Sequence, residues 1–334
     1  MSFKDIIGHT KEISVLAGSL ANGRVPHALL FSGPEGVGKR LVALEFARAL
    51  NCREFRGGSS GDSCGRCPDC ALFDSGTHPN LTLAGPTDKD GQPSPEGLIR
   101  IEPVREIQNS LKYRVERGSK AVIIDSADRM MPAAANAFLK TLEEPPADSV
   151  IMLVTSRSSD LLPTIISRCQ RMNFRPLSSE LVTRYLVEKT GAAEADAVEA
   201  ARLAAGSISK ALFYASEGGY GKKKEIAGAV SAITPADTDA ALSLAAELSK
   251  RDDLVDVLEF LKTWYRDMLV GRSGAVGLMV NSGACADAGS DERRLMDSFS
   301  MIERARRDIM PPRYANRQLT MEVLLLGLAG CRGV

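Results

Sequence analysis

Between residues 33 and 40 the chain reads Gly33-Pro34-Glu35-Gly36-Val37-Gly38-Lys39-Arg40. An apolar run, Ala28 to Phe31, leads into this stretch, and an apolar-periodic run from Leu41 to Leu50 follows it. Strand, glycine loop and helix in that order form a phosphate-binding P-loop. The glycines let backbone N–H groups curl round phosphates at a helix N-terminus, and Lys39 is placed to reach the terminal phosphates. The motif therefore commits the chain to an α/β fold built on a mainly parallel sheet. One position departs from it. A hydroxyl residue should follow the lysine to ligate magnesium, and Arg40 stands there with no oxygen to offer and a charge of its own. The scaffold is that of a nucleotide hydrolase whose metal site is broken, and whether ATP or ADP still binds is left open.

A second departure lies downstream. Ala121-Val122-Ile123-Ile124-Asp125 has the form of a Walker B strand, whose terminal carboxylate holds magnesium through water. Hydrolysis needs a neighbouring group, commonly Glu, to polarise the attacking water. The next residue is Ser126, whose hydroxyl is a poor base, and Asp128 is not assured of the same direction. Gly33, Gly36, Gly38, Lys39, Arg40 and Asp125 thus make up a degenerate nucleotide site.

Cys52, Cys64, Cys67 and Cys70 cluster in a polar, glycine-rich interval. Four thiolates with a Cys-x-x-Cys-x-x-Cys core suit one tetrahedral, structural zinc ion, and a four-cysteine set leaves no open position for catalysis. His78 is close enough in sequence to replace a ligand, though nothing requires it. Cys169, Cys285 and Cys331 are isolated and read as inert thiols.

Strand-like and helix-like segments alternate to about residue 175. Strand signals then vanish, and alanine- and leucine-rich amphipathic segments run to residue 334. This predicts a nucleotide-binding-like domain over 1–175 carrying the zinc module 52–70, a small helical lid over 176–216, and an all-helical domain over 217–334. The 42 basic and 42 acidic residues balance, which argues against strong DNA affinity for the chain alone. No apolar run is long enough to span a bilayer, so the cytoplasm is the expected compartment.

Longer stretches carry a resemblance. Phe3-Lys4-Asp5-Ile6-Ile7-Gly8, His27-Ala28-Leu29-Leu30-Phe31-Ser32-Gly33-Pro34, Asn136 to Pro146 and Ser167-Arg168-Cys169 resemble the bacterial clamp-loader subunits, a branch of the AAA+ class. Within them the match is nearest the delta-prime type. It is strong to about residue 215 and looser beyond, where Trp264-Tyr265-Arg266-Asp267 and Asn316–Leu326 resemble the collar domain. The resemblance implies an AAA+ module, a lid and a collar in a hetero-pentameric ring with gamma/tau-like and delta-like partners. That ring loads a sliding clamp on primed DNA. It further implies that Arg168, flanked by Ser167 and Cys169, enters a neighbour's ATP site as an arginine finger. ATPase members of the family carry Ser or Thr where Arg40 stands, Glu where Ser126 stands, and an arginine where the lid segment Gly206-Ser207-Ile208-Ser209 has Ser209. Two rival expectations follow: an active ATPase subunit of the same assembly, and a zinc-dependent nucleic-acid-binding module.

Overall fold

Strands β1 (Ala28–Ser32), β2 (Leu81–Ala84), β3 (Lys120–Ile124), β4 (Ser149–Thr155) and β5 (Gln170–Asn173) form one sheet in the order β2-β3-β4-β1-β5. All four pairings are parallel, with Leu30 level with Leu153 on one side and Arg171 on the other. This computed structural model describes residues 2–54, 61–95, 97–113, 115, 117–216, 219–281, 284, 291–310, 313 and 315–330. The described chain divides into two compact units, Met1–Ala211 and Leu212–Val334.

In the first unit the sheet is covered on both faces, and the two-residue period of a strand divides its side chains between them. Leu29, Phe31, Ile123 and Met152 face a core with Leu16, Val42 and Phe46, supplied by α1 (Thr10–Ala21) and α2 (Lys39–Asn51). Leu30, Val122, Ile124, Ile151 and Leu153 face the other way. They pack on α4 (Ile101–Leu111), α5 (Pro132–Glu143) and the single turn α6 (Pro163–Ile166) through Val104, Ile107, Phe138 and Ile165. A short α3 (Pro68–Asp74) follows α2. Helices α7 (Ser179–Thr190) and α8 (Glu194–Leu203) pack on each other, and α9 (Ile208–Ala215) ends the segment.

One strand of the sheet carries little apolar signal in the sequence. β5 is an edge strand of Gln170, Arg171, Met172 and Asn173, with only Met172 buried. Its polar composition hid it. So did its place directly after the Ser167-Arg168-Cys169 segment. The connection after β2 is tied by bridges of Thr87 to Pro93 and Leu98.

The α-helices among the second unit's described residues are α10 (Gly219–Ala232), α11 (Thr238–Ser249), α12 (Leu254–Arg272), α13 (Glu292–Ile309) and α14 (Arg317–Leu328), and no strand is among them. α12 pairs with α13, and α14 packs on α11 and α13. Asp267 on α12 is fully buried and accepts from the backbone N–H groups of Val280 and Asn281 and from the Asn281 side chain. These bonds, with Arg266, compensate its buried charge. Cys285 and Cys331 lie outside the described residues.

Candidate functional site

The P-loop joins β1 to α2, so it sits at the carboxyl edge of the sheet, where ligands of open parallel sheets bind. Its glycines are needed. A Cβ at Gly33 would lie 2.2 Å from the Phe174 carbonyl oxygen, and one at Gly36 would lie 2.2 Å from Ser207 Oγ. Gly38 is the N-cap of α2. His9, at the head of α1, is within 2.8 Å of the Val37 carbonyl through Nε2 and pins the loop from behind.

Lys39 and Arg40 are both engaged inside the chain. Lys39 is buried, and its Nζ donates to the Gly33 and Pro34 carbonyls at 2.7 and 2.5 Å. Burial lowers its pKa, against the opposing pull of Glu35, Asp125 and Asp128. Arg40 reaches across to Asp125 at 3.4 Å, which sets a guanidinium beside the Walker B carboxylate, where a hydrolase holds its metal. Ser126 turns away in a left-handed conformation, φ 49°, and its backbone N–H donates to Asp125 Oδ1. Asp128 does point to this edge. Its carboxylate accepts from the Thr155 hydroxyl at 2.6 Å and pairs with Arg157 at 3.4 Å, so it is held rather than free to act as a base. Thr155 and His9 were not among the expected site residues. The signal for Thr155 was a polar residue closing the apolar β4 run.

The start of α9 touches the loop directly: the Ser209 backbone N–H donates to the Gly36 carbonyl at 3.2 Å. The Ser209 side chain brings no charge to the loop.

Arg168 lies elsewhere. It precedes Gln170, which is level with Leu29 near the start of β1, so it stands at the amino edge of the sheet. The length of β1 separates the two edges by roughly 15 Å. Arg168 therefore cannot serve its own P-loop. Ile165 and Cys169 are buried on either side of it. Burial pushes the Cys169 thiol up to about 11, which makes it an inert anchor. The guanidinium is ion-paired with Glu143, Nη2 to Oε1 at 2.7 Å, and its Nη1 donates to the Thr164 carbonyl at 2.9 Å. Ser167 caps α6 and donates to the Thr164 carbonyl.

The four clustered cysteines meet. Cys52 caps the C-terminus of α2 and Cys67 the N-terminus of α3, and all four Sγ atoms lie within 4.8 Å of one another. The Cys52–Cys67 and Cys64–Cys70 separations are both 4.0 Å. A disulfide needs about 2.05 Å. A tetrahedron of sulfurs about 2.3 Å from one metal ion has edges near 3.8 Å. Burial pushes Cys70 well up and also acts on Cys67, but N–H groups of Cys70 and Arg53 outweigh it there and bring Cys67 to about 7. This donor set could hold a metal ion. His78 is outside it: its ring stacks on Phe73 at 4.4 Å and its Nδ1 accepts from the Asn80 N–H.

A family model described as DNA polymerase III, delta subunit, matches residues 8–178. The chain belongs to that family. Curated relatives of this DNA polymerase III type include the delta' subunit of Bacillus subtilis, 37% identical over 53% of this chain and 50% of its own length. The delta' subunit of Escherichia coli is 34% identical over 59% of this chain and 57% of its own. The tau subunit of Escherichia coli is 32% identical over 73% of this chain and 37% of its own. The chain thus spans about half the length, or less, of these relatives. A solved gamma subunit-related protein of Thermotoga maritima superposes over 96% of this DNA polymerase III family member and 99% of itself, at TM-score 0.49 and 19% identity.

Proposed function

We propose that the chain is a delta'-type clamp-loader subunit with no ATPase of its own, and that Arg168 enters a neighbouring subunit's ATP site. The observation that carries this is the state of the two sheet edges. At one, Arg40 stands against Asp125 and Lys39 is bound to the loop's own carbonyls. At the other, an arginine on a buried anchor faces outward with part of its fork unused. Phosphoryl transfer gathers negative charge on the phosphoryl oxygens. A guanidinium supplied in trans stabilises that charge by a factor of about 10³ to 10⁵. A ring of subunits joined head to tail brings one member's amino edge to the next member's nucleotide site.

The partners in this reading are gamma/tau-like and delta-like subunits, with the sliding clamp and primed DNA engaged through the assembly, in the cytoplasm. The work divides over an AAA+-like domain at 1–175, a lid at 176–216 and a collar at 217–334. At the home site Gly33, Gly36, Gly38, Lys39, Arg40 and Asp125 form a degenerate nucleotide site whose two cations are bound within the chain. The test is ATP hydrolysis by rings reconstituted with wild-type chain or with Arg168→Ala. The expected result is normal assembly with hydrolysis lost at one site; equal rates in assembled rings would overturn it.

Zinc is the metal we assign to Cys52, Cys64, Cys67 and Cys70. Metal analysis of the purified chain should find one zinc per chain. Cys67→Ser should speed amide exchange in α3 and leave α12 and α13 protected. A metal-free chain with four freely reactive thiols would reject the assignment.

A further inference from the structure

Arg168 is not simply an exposed arginine. Its backbone is set by α6, a single turn that opens on Pro163 and whose Ile165 carbonyl accepts from the Arg168 N–H. Its side chain is held by acceptors from two different elements. Glu143, the last residue of α5, is ion-paired with Nη2 at 2.7 Å, and the Thr164 carbonyl of α6 accepts from Nη1 at 2.9 Å. Ser167 Oγ adds only a long contact at 3.5 Å.

A guanidinium has five N–H donors in a rigid plane. The Thr164 hydrogen bond and the Glu143 ion pair each engage one terminal nitrogen, which leaves N–H donors for another acceptor. The side chain is 35% exposed, which leaves that remainder accessible. Fixing a plane at two points sets its direction without exhausting it. An unrestrained arginine would lose its rotamer freedom on meeting a phosphate, and a restrained one has already lost it. Glu143 is itself 49% exposed, so the pair contributes little to the fold. What it contributes is direction.

We infer that Glu143 is the positioning residue for Arg168, aiming the guanidinium out of the amino edge before a neighbour's nucleotide arrives. This rests on the reading of Arg168 as a finger acting in trans. Glu143 does not touch the nucleotide. It acts through the arginine, as the carboxylate ion-paired with one terminal nitrogen of the guanidinium.

The experiment is a double-mutant cycle on reconstituted rings: wild type, Glu143→Ala, Arg168→Ala and both together, with Glu143→Gln as the conservative variant. ATP hydrolysis is followed with kcat and KM separated, and assembly is checked by size-exclusion chromatography. Glu143→Ala should lower kcat at the affected site about 5- to 20-fold with KM unchanged, because orientation is lost and binding is not. Glu143→Gln keeps the acceptor oxygen and should retain most of the rate. In the Arg168→Ala background, Glu143→Ala should do nothing further. An equal loss in both backgrounds would mean that Glu143 merely supports α5, and would overturn the inference. So would a wild-type rate for Glu143→Ala beside a slow Arg168→Ala, a result that leaves the finger intact. A wild-type rate for Arg168→Ala in assembled rings would instead reject the finger itself.

Discussion

The two edges of one sheet treat their arginines in opposite ways. At the carboxyl edge Arg40 is spent on Asp125, and the neighbouring Lys39 is bound to the loop that should present it. At the amino edge Arg168 is held by Glu143 and Thr164 but keeps donors to spare. Residue type does not separate them. Arg40 sits where a cation's usual partner is a carboxylate of the same chain. Arg168 sits on a turn between two buried residues, at an edge where this chain has no phosphate site. A charge neutralised at home is lost to a neighbour, whereas a charge that is only steadied remains available.

The strongest way to break this contrast is at Arg168. Arg168→Ala should slow single-turnover hydrolysis at the dependent site of a reconstituted ring by about 10³-fold or more. Lysine should restore little, since a point ammonium cannot reproduce the planar fork. Full rescue by Arg168→Lys would mean that charge alone matters, and that the geometry of the Glu143 contact is incidental.

Asp128 comes next. It is almost wholly buried and holds both Thr155 and Arg157, so Asp128→Asn should lower stability to denaturant by about 1–3 kcal/mol. No loss would show that this network is slack and that Asp128 is free for chemistry, which would blur the difference between the edges.

Smaller still is the Arg40–Asp125 pair. Arg40 is 57% exposed, so Asp125→Asn should change stability by no more than about 1 kcal/mol. A far larger loss in chemical denaturation would recast the pair as a structural strut. The smallest effect is expected at Lys39. Purified alone, the chain should show no magnesium-dependent ATP turnover, and Lys39→Ala should leave that background unchanged. Steady turnover abolished by Lys39→Ala would make the carboxyl edge a working active site and restore the rival ATPase reading.

Much of the first unit was legible because its signals are local. The glycine spacing before Lys39, the apolar runs of β1, β3 and β4, and the Pro145-Pro146 stop after α5 each act over a few residues. The cysteine cluster was legible for the same reason. Other features carried no local mark. α1 has a weak apolar stripe with only Leu16 and Leu20 buried, and β5 has a single apolar residue, Met172. Both are stabilised by what they lie against.

By itself the sequence determined that this chain has a P-loop without a metal-binding hydroxyl, a carboxylate strand without a base, four thiols that can share one ion, and an arginine in a Ser-Arg-Cys motif. Tertiary structure alone decided which charges meet. Arg40 and Asp125 are brought together when β1 and β3 deliver their ends to the same edge with β4 between them. Glu143 and Arg168 meet because α5 and α6 cover the same face of the sheet. Strand order also set Arg168 a full strand length from its own P-loop. Charge pairing depends on distances of a few ångströms between residues far apart in the chain, and only the packed sheet fixes those distances.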